Sequence, residues 1–354
     1  MLSERAGTVL NILVTKYIDT ASPVASDDIA RLSPVRVSSA TIRNTMSQLT
    51  EGGYISRPHI SAGAVPLHRG YRHYVESLKE PPELPYGLQQ QIHQQFDQAD
   101  PDVEVWSRRC ATILSRIAMN LAIVTVPWAR APRLRGVQLV YLEDFLALLI
   151  VVLEEARLLR RLLTLDEPTN QDLLTQAANK LNEYFCGADY WQLETSHPGL
   201  TSLEERVRSE TMGMLKEAKS AGPSEYYVDG LRWLLNQPEF SGASSAKELV
   251  EMLEERVLLD SVLSKIPMPE ASDVAVYIGD ENSEEPLRPF GVILCQYGDT
   301  QRATGTICVL GPTRMGYAQA ISGVNFLSSL MNQLMADLHG GYTSQHSHDS
   351  TVQS

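Results

Sequence analysis

Residues 38–59, SSATIRNTMSQLTEGGYISRPH, place one Arg, one Asn and several hydroxyls on a short helical pattern, followed by two glycines and an extended run ending in Arg-Pro-His. Ile42, Met46 and Leu49 recur at helical spacing. A step of about 100° per residue then turns Ala40, Arg43, Asn44, Ser47 and Glu51 to the opposite side, with Thr41 and Gln48 on the flanks. Those side chains match base edges. Arg pairs bidentately with guanine, Asn with adenine, and an Ala methyl rests on a thymine methyl, each good pair discriminating by about 1–3 kcal/mol. Ser38, Ser39 and Thr41 lie where hydroxyls and free N–H groups suit phosphate oxygens. A serine pair before a helix is also an ordinary cap, and a polar outer face can simply be solvated. The candidate DNA-contacting set is therefore Arg36, Ser38, Ser39, Ala40, Thr41, Arg43, Asn44 and Ser47, with Arg57 and His59 on the extended run beside it.

The elements needed to hold that helix are legible around it. Ser3 caps a first amphipathic helix over 4–19, with Ala6, Val9, Leu10, Leu13, Val14 and Tyr17 on one face. Ser26 caps a second, DDIARL, whose Asp27 and Asp28 sit at the positive end of its dipole while Ile29 and Leu32 turn inward. The third helix runs from Ser38 or Ser39 to about Thr50 and stops at Gly52-Gly53. An extended Tyr54–Arg57, a glycine-containing loop to Pro66 and a helical 68–78 complete three helices and a hairpin, the organisation of a helix-turn-helix with a wing.

Composition limits what this segment can face. The net charge of −13 argues against a nonspecific polyanion binder. Residues 1–80 nevertheless hold nine Lys/Arg against seven Asp/Glu, so the remainder carries −15 and only this first part can meet phosphate comfortably. No apolar run reaches the roughly 20 residues of a membrane span, and MLSERAGTVL has no basic n-region followed by an apolar stretch, so a cytoplasmic, nucleoid-associated protein is expected. Cys110, Cys186, Cys295 and Cys308 have neither paired nor zinc-like spacing. No arrangement of nucleophile and base or of paired carboxylates has recognisable spacing, so no enzyme activity and no cofactor or metal is expected.

Beyond EPPELPYG (80–87), read as a linker, 88–120 looks helical. Apolar runs at 121–127, 134–142, 145–153 and 157–165 read as an antiparallel sheet, although runs this rich in Leu also suit buried helix. Helical patterns follow at 172–186, 203–218, 225–236 and 246–264; strands return at 271–279, 290–296 and 305–311, and a last helix covers 314–338. The order of strands, helical block and strands suggests an α+β domain interrupted by an insertion.

Three stretches carry a family resemblance: YIDTASPVASDDIARL with VSSATIRNTMSQLTEGGYISRPHISAGAVP and GYRHYV near the start, YYVDGLRWLLNQPEF (226–240) in the middle, and VAVYIGDEN with GTICVLGPTRMGYAQAISGVNFLSSLMNQL near the end. They resemble the HrcA family of bacterial heat-inducible transcription repressors, in one order and across nearly the whole chain. The resemblance implies a homodimer bound to an inverted repeat upstream of chaperonin and other chaperone operons and released on heat stress, with a GroEL-type chaperonin as partner. It implies an α+β fold with these segments: an N-terminal winged helix over 1–79, a linker and connecting helix over 80–100, a GAF-like domain over 101–198 and 269–340, a helical dimerisation domain inserted at 199–268 and a disordered tail over 341–354. The alternative within this architecture is a winged-helix regulator controlled by a small molecule in the GAF-like domain. Where the family's wing carries Gly-Arg-(Ile/Val)-Pro-Thr, this chain has Gly63-Ala64-Val65-Pro66-Leu67, which removes a cation and a hydroxyl from the expected tip.

Three further constellations have plain readings. His346 and His348 lie in the tail without other ligands. The acidic GDENSEE (279–285) lacks the alternation of a calcium loop and reads as a solvated turn. GPTRMGY (311–317) is either a phosphate-holding helix start or a strand-to-helix turn with Thr313 as N-cap and Arg314 in a domain contact.

Overall fold

A computed structural model describes residues 2–33, 38–57, 63–78, 82–99, 102–129, 131–154, 157–196, 199–220, 225–254, 262, 266, 273–299 and 303–345. The chain forms two compact units: Met1–Val126, Tyr226–Tyr297 and Thr306–Ser354 in the first, Pro127–Glu225 and Gly298–Gly305 in the second.

The first unit starts with α1 (Glu4–Thr20), α2 (Ser26–Leu32) and α3 (Ser39–Glu51), a hairpin of β1 (Ile55–Ser56) and β2 (Val65–Pro66), and α4 (His68–Ser77). α1 buries Ala6, Val9, Leu10, Leu13 and Val14, the apolar face read from its spacing. In α2 only Ile29 is buried; Leu32, expected to turn inward, is exposed, and Ser26 is the first helical residue rather than a side-chain cap. Leu32, the last residue of this seven-residue helix, comes after its inward position, which Ile29 occupies. β1 and β2 pair antiparallel, Ile55 opposite Pro66 and Ser56 opposite Val65.

The helical stretch expected over 88–120 is two helices, α5 (Tyr86–Asp97) and α6 (Val103–Ala118), because Asp102 accepts from the Glu104 N–H and starts a new helix. β3 (Leu121–Thr125) then enters a five-stranded sheet. The segment expected as helix at 225–236 is instead β7 (Tyr226–Asp229), antiparallel to β3, followed by the short α10 (Leu231–Leu235). The Tyr-Tyr-Val run favours a strand, and Gly230 breaks the pattern with φ 95°. A side chain at Gly230 would lie 2.2 Å from the Asn120 carbonyl oxygen, so only glycine fits there. α11 (Ala243–Glu254) follows; the rest of the helix expected to 264 lies largely outside the described residues. β8 (Val274–Ile278), β9 (Phe290–Asp299) and β10 (Ala303–Pro312) give the sheet order β7-β3-β10-β9-β8, and α12 (Tyr317–Gln345) closes the unit. α12 continues past the expected end at 338 through the glycine pair 340–341, so residues 341–345 are helical, whereas 346–354 lie outside the described residues. Both faces of the sheet are filled. Ala122, Val124, Ile293, Cys295, Ile307 and Val309 share a core with α6 and α12, while Leu121, Ile123, Val292, Leu294, Cys308 and Leu310 pack with residues of α10 and α11.

The second unit is a meander, β4 (Leu134–Glu143), β5 (Leu146–Leu153) and β6 (Leu158–Thr164), with α7 (Gln171–Phe185), α8 (Tyr190–Thr195) and α9 (Ser202–Ser220). One face of the meander, with Val137, Leu139, Ala147, Leu149, Val151 and Leu163, packs against Leu174, Leu181, Phe185, Val207 and Leu215 from the helices. Arg161 reaches from that face to Glu210 and Glu217 of α9. The segment that packs by itself therefore begins at 127, whereas the resemblance implies an insertion starting at 199. Strand periodicity reports which residues share a face, not which strand lies alongside: among the described residues β4–β6 pair as strands with one another, while β3 pairs with β7 and β10.

Candidate nucleic-acid interface

α3 buries Ile42, Thr45, Met46 and Leu49, and leaves Ala40, Arg43, Asn44, Ser47, Gln48 and Glu51 exposed. The outward face is the one its spacing predicts. Ser38 is the N-cap: its hydroxyl oxygen accepts from the Thr41 N–H at 3.2 Å and lies 3.0 Å from the Thr41 hydroxyl. Ser39 opens the helix, half-buried. The Ser47 hydroxyl donates to the Arg43 carbonyl at 3.1 Å. Among the described residues, the exposed side chains of Arg43 and Asn44 make no hydrogen bond or ion pair.

Arg57 is brought to the same place. It leaves β1 and its guanidinium lies 3.5 Å from the Arg43 carbonyl, adding a second cation beside α3. Arg36 and His59 lie outside the described residues. Ser38, Ser39, Ala40, Thr41, Arg43, Asn44, Ser47 and Arg57 thus cluster on and beside one helix.

The segment before β2 corrects one expectation. Ala64 is not at an exposed tip but fully buried, exchanging both backbone hydrogen bonds with Val24 at 2.9 Å. Gly63 beside it lies so close to Val24 that a Cβ would meet backbone at 2.5 Å. The missing Arg of the Gly-Ala-Val-Pro-Leu segment therefore vacates a packed position, whereas Leu67 is partly exposed.

Two residues that spacing did not single out pack beside this face. Arg69, on α4, donates to the Gly52 carbonyl at 2.9 Å and places its guanidinium 4.5 Å from the centre of the Tyr54 ring. Thr45 is buried and donates to the Thr41 carbonyl at 3.1 Å. Its burial could be foreseen from its place one residue before Met46.

GPTRMGY is a turn between β10 and α12, and Thr313 is not an N-cap, because the helix begins four residues later at Tyr317, whose hydroxyl donates to the Thr313 carbonyl. Arg314 makes the domain contact: it is 8% exposed and donates to the Ile18 carbonyl, the Gln237 side chain and both Glu239 oxygens. The acidic stretch is a turn with Asp280, Glu281 and Glu285 exposed, as expected, but two of its carboxylates have partners. Asp280 meets His68 and Glu281 meets Arg72.

Residues 104–321 match the family model of the HrcA protein C-terminal domain. The chain is 37% identical to the heat-inducible transcription repressor HrcA of Dehalococcoides mccartyi over 340 residues, covering 96% of this chain and 98% of that one. The chain belongs to the HrcA family. The repressor of the same name from Herpetosiphon aurantiacus is 36% identical over 347 residues, 96% of this chain and 97% of the relative. A crystal structure of a hypothetical protein at 2.2 Å superposes with a TM-score of 0.63 at 21% identity, covering 95% of this chain and 99% of the other, and so shares the fold. No helix among the described residues is long and apolar enough to cross a membrane.

Proposed function

We propose that this chain is a transcription repressor induced by heat, which binds an inverted-repeat DNA operator of chaperonin and chaperone operons as a homodimer. The observation that carries it is the outward face of α3, where Arg43 and Asn44 are exposed and unpaired among the described residues. α1 to α4 with the β1–β2 hairpin have the arrangement of a winged helix, in which α2 braces α3 against the backbone and α3 enters the major groove. Arg43, Asn44 and Ala40 read base edges; Ser38, Ser39, Thr41, Ser47, Arg57, Arg36 and His59 supply phosphate and flanking contacts.

Dimerisation belongs to the second unit. The outer face of its meander carries Val140, Leu146, Leu148, Ile150, Val152, Leu158 and Leu162, none of them fully buried, with Leu158 65% and Leu162 61% exposed. Leu148 stands opposite Leu162 and Val152 opposite Leu158, so these side chains form an apolar surface, crossed at its middle by Gln138 and Arg160 on either side of Ile150. A second copy covering it is the economical partner, and this replaces helices over 200–265 as the pairing surface, since α9 is used inside its own unit. The five-stranded sheet supplies the GAF-like domain of the resemblance. Side chains fill both its faces, which favours a structural role over control by a small molecule.

Heat releases the operator by loosening this assembly, and a GroEL-type chaperonin returns the chain to it, coupling chaperone supply to chaperone transcription. A gel-shift titration against an inverted repeat from a chaperonin promoter tests the reading. Retention of that repeat over a scrambled duplex, lost on warming and recovered sooner with chaperonin, is expected. Equal affinity for both duplexes overturns it.

A further inference from the structure

The four N-terminal helices are held to the C-terminal strands of their own unit by contacts of two kinds. The centre is apolar: the buried rings of Tyr71 on α4 and Tyr317 on α12 lie 6.2 Å apart. The rim is polar and forked. Arg72 on α4 donates through Nε to Glu281 Oε1 at 2.7 Å, pairs with the other Glu281 oxygen, and donates to the Val276 carbonyl on β8 at 2.6 Å. Glu281 is aimed by the Ile278 N–H, which donates to it at 2.9 Å. His68 Nδ1 lies 2.9 Å from Asp280 Oδ2. The loop approaches α4 only because Gly279 adopts φ 57°; a Cβ there would fall 2.4 Å from the His68 ring. A second fork holds the N-terminal helices, the head of the chain, at another element: Arg314 clamps the C-terminal turn of α1 through the Ile18 carbonyl to Gln237 and Glu239.

Apolar burial is non-directional and sets adhesion, whereas an arginine fork on a carboxylate fixes geometry. Two forks, one at α4 and one at the end of α1, define one orientation of these helices. Neither touches α3, whose reading face stays open. We propose that Arg72 and Arg314 are positioning residues for operator recognition: with Glu281 and Glu239 they hold the head at the angle that matches two heads of a dimer to the separation of the operator half-sites. This rests on the dimeric-repressor reading above.

The consequence is specific to paired sites. Linking two binding modules multiplies affinity only where geometry lets both engage together, so loosening the angle costs affinity at the preferred spacing without altering how one head meets one half-site. The test uses full-length protein on a series of operators whose half-site separation changes one base pair at a time, together with a single half-site. Wild type is expected to show a sharp optimum. Glu281→Gln combined with Glu239→Gln is expected to lower affinity at that optimum about 10–100-fold and flatten the spacing profile, with single half-site affinity unchanged. The charge-exchanged pair Arg72→Glu with Glu281→Arg is the second arm: a sharper profile than that of Arg72→Glu alone supports the proposal. Variants that are folded by circular dichroism and keep the wild-type profile overturn it, as does an exchanged pair no sharper than the single change. A wild type that binds the operator without any optimum also overturns it, whereas a wild type blind to operator sequence overturns the repressor reading instead.

Discussion

Among the described residues, two exposed surfaces are chemically opposite. The outer face of α3 is polar, with two hydrogen-bonding side chains, Arg43 and Asn44, kept free of internal partners among the described residues. The outer face of the β4–β6 meander is apolar, with leucines at positions where an antiparallel sheet facing water ordinarily alternates to polar residues. Exposure is shared; the composition decides what arrives. A surface of unpaired donors suits a polyanion with a pattern of acceptors, and a surface of leucines suits a copy of itself, because two-fold pairing sets the same patch on both sides.

Changes that break this contrast should separate the two functions. The largest effect is expected from Leu162→Asp. A carboxylate set against apolar side chains without a partner costs about 3–5 kcal/mol, enough to convert dimer to monomer at micromolar protein in sedimentation, while circular dichroism stays unchanged because the side chain is exposed in the single chain. Persistence of the dimer would move the pairing surface elsewhere. Arg43→Ala should come next, lowering the preference for operator over scrambled duplex by about 10–100-fold, the loss of one bidentate base contact, with sedimentation unaltered. A variant that still discriminates like wild type would remove Arg43 from the reading set. Ser38→Ala should cost about 1 kcal/mol through loss of the α3 cap, visible as a lowered melting temperature and as a modest, sequence-independent weakening of DNA binding. The smallest change is expected for Arg57→Ala. As a phosphate contact it should weaken all duplexes alike and reduce the slope of log affinity against log salt by about 1; a change in sequence preference would instead make Arg57 a base reader.

The sequence made the first surface legible and hid the second. A helix reports its own two faces through its period, so Ile42, Met46 and Leu49 inward and Arg43, Asn44 and Ser47 outward follow from spacing alone. The strands β4–β6 were equally visible as runs, yet their neighbours were not. Leu121–Thr125 looks like the same kind of run but pairs with β7 and β10, and 226–229 escaped notice as a strand because Leu231–Leu235 behind it continues the apolar content in helical register. Contacts across long separations were the hardest to see. Asp280 and Glu281 read as a solvated acidic turn because His68 and Arg72 lie more than two hundred positions away. Arg314 was open to a domain contact because it follows a strand, although its partners at 18, 237 and 239 carry no local signal.

The clasp between Ile18 and Arg314 joins positions 296 apart. Chains whose contacts close long loops fold slowly, and a ribosome making this protein N-terminus first must deliver nearly all of it before the clasp can form. The first helices emerge early, but their anchorage comes last. Each newly made molecule thus completes this anchorage only after residue 314 has left the ribosome, when the helices it holds have long been made.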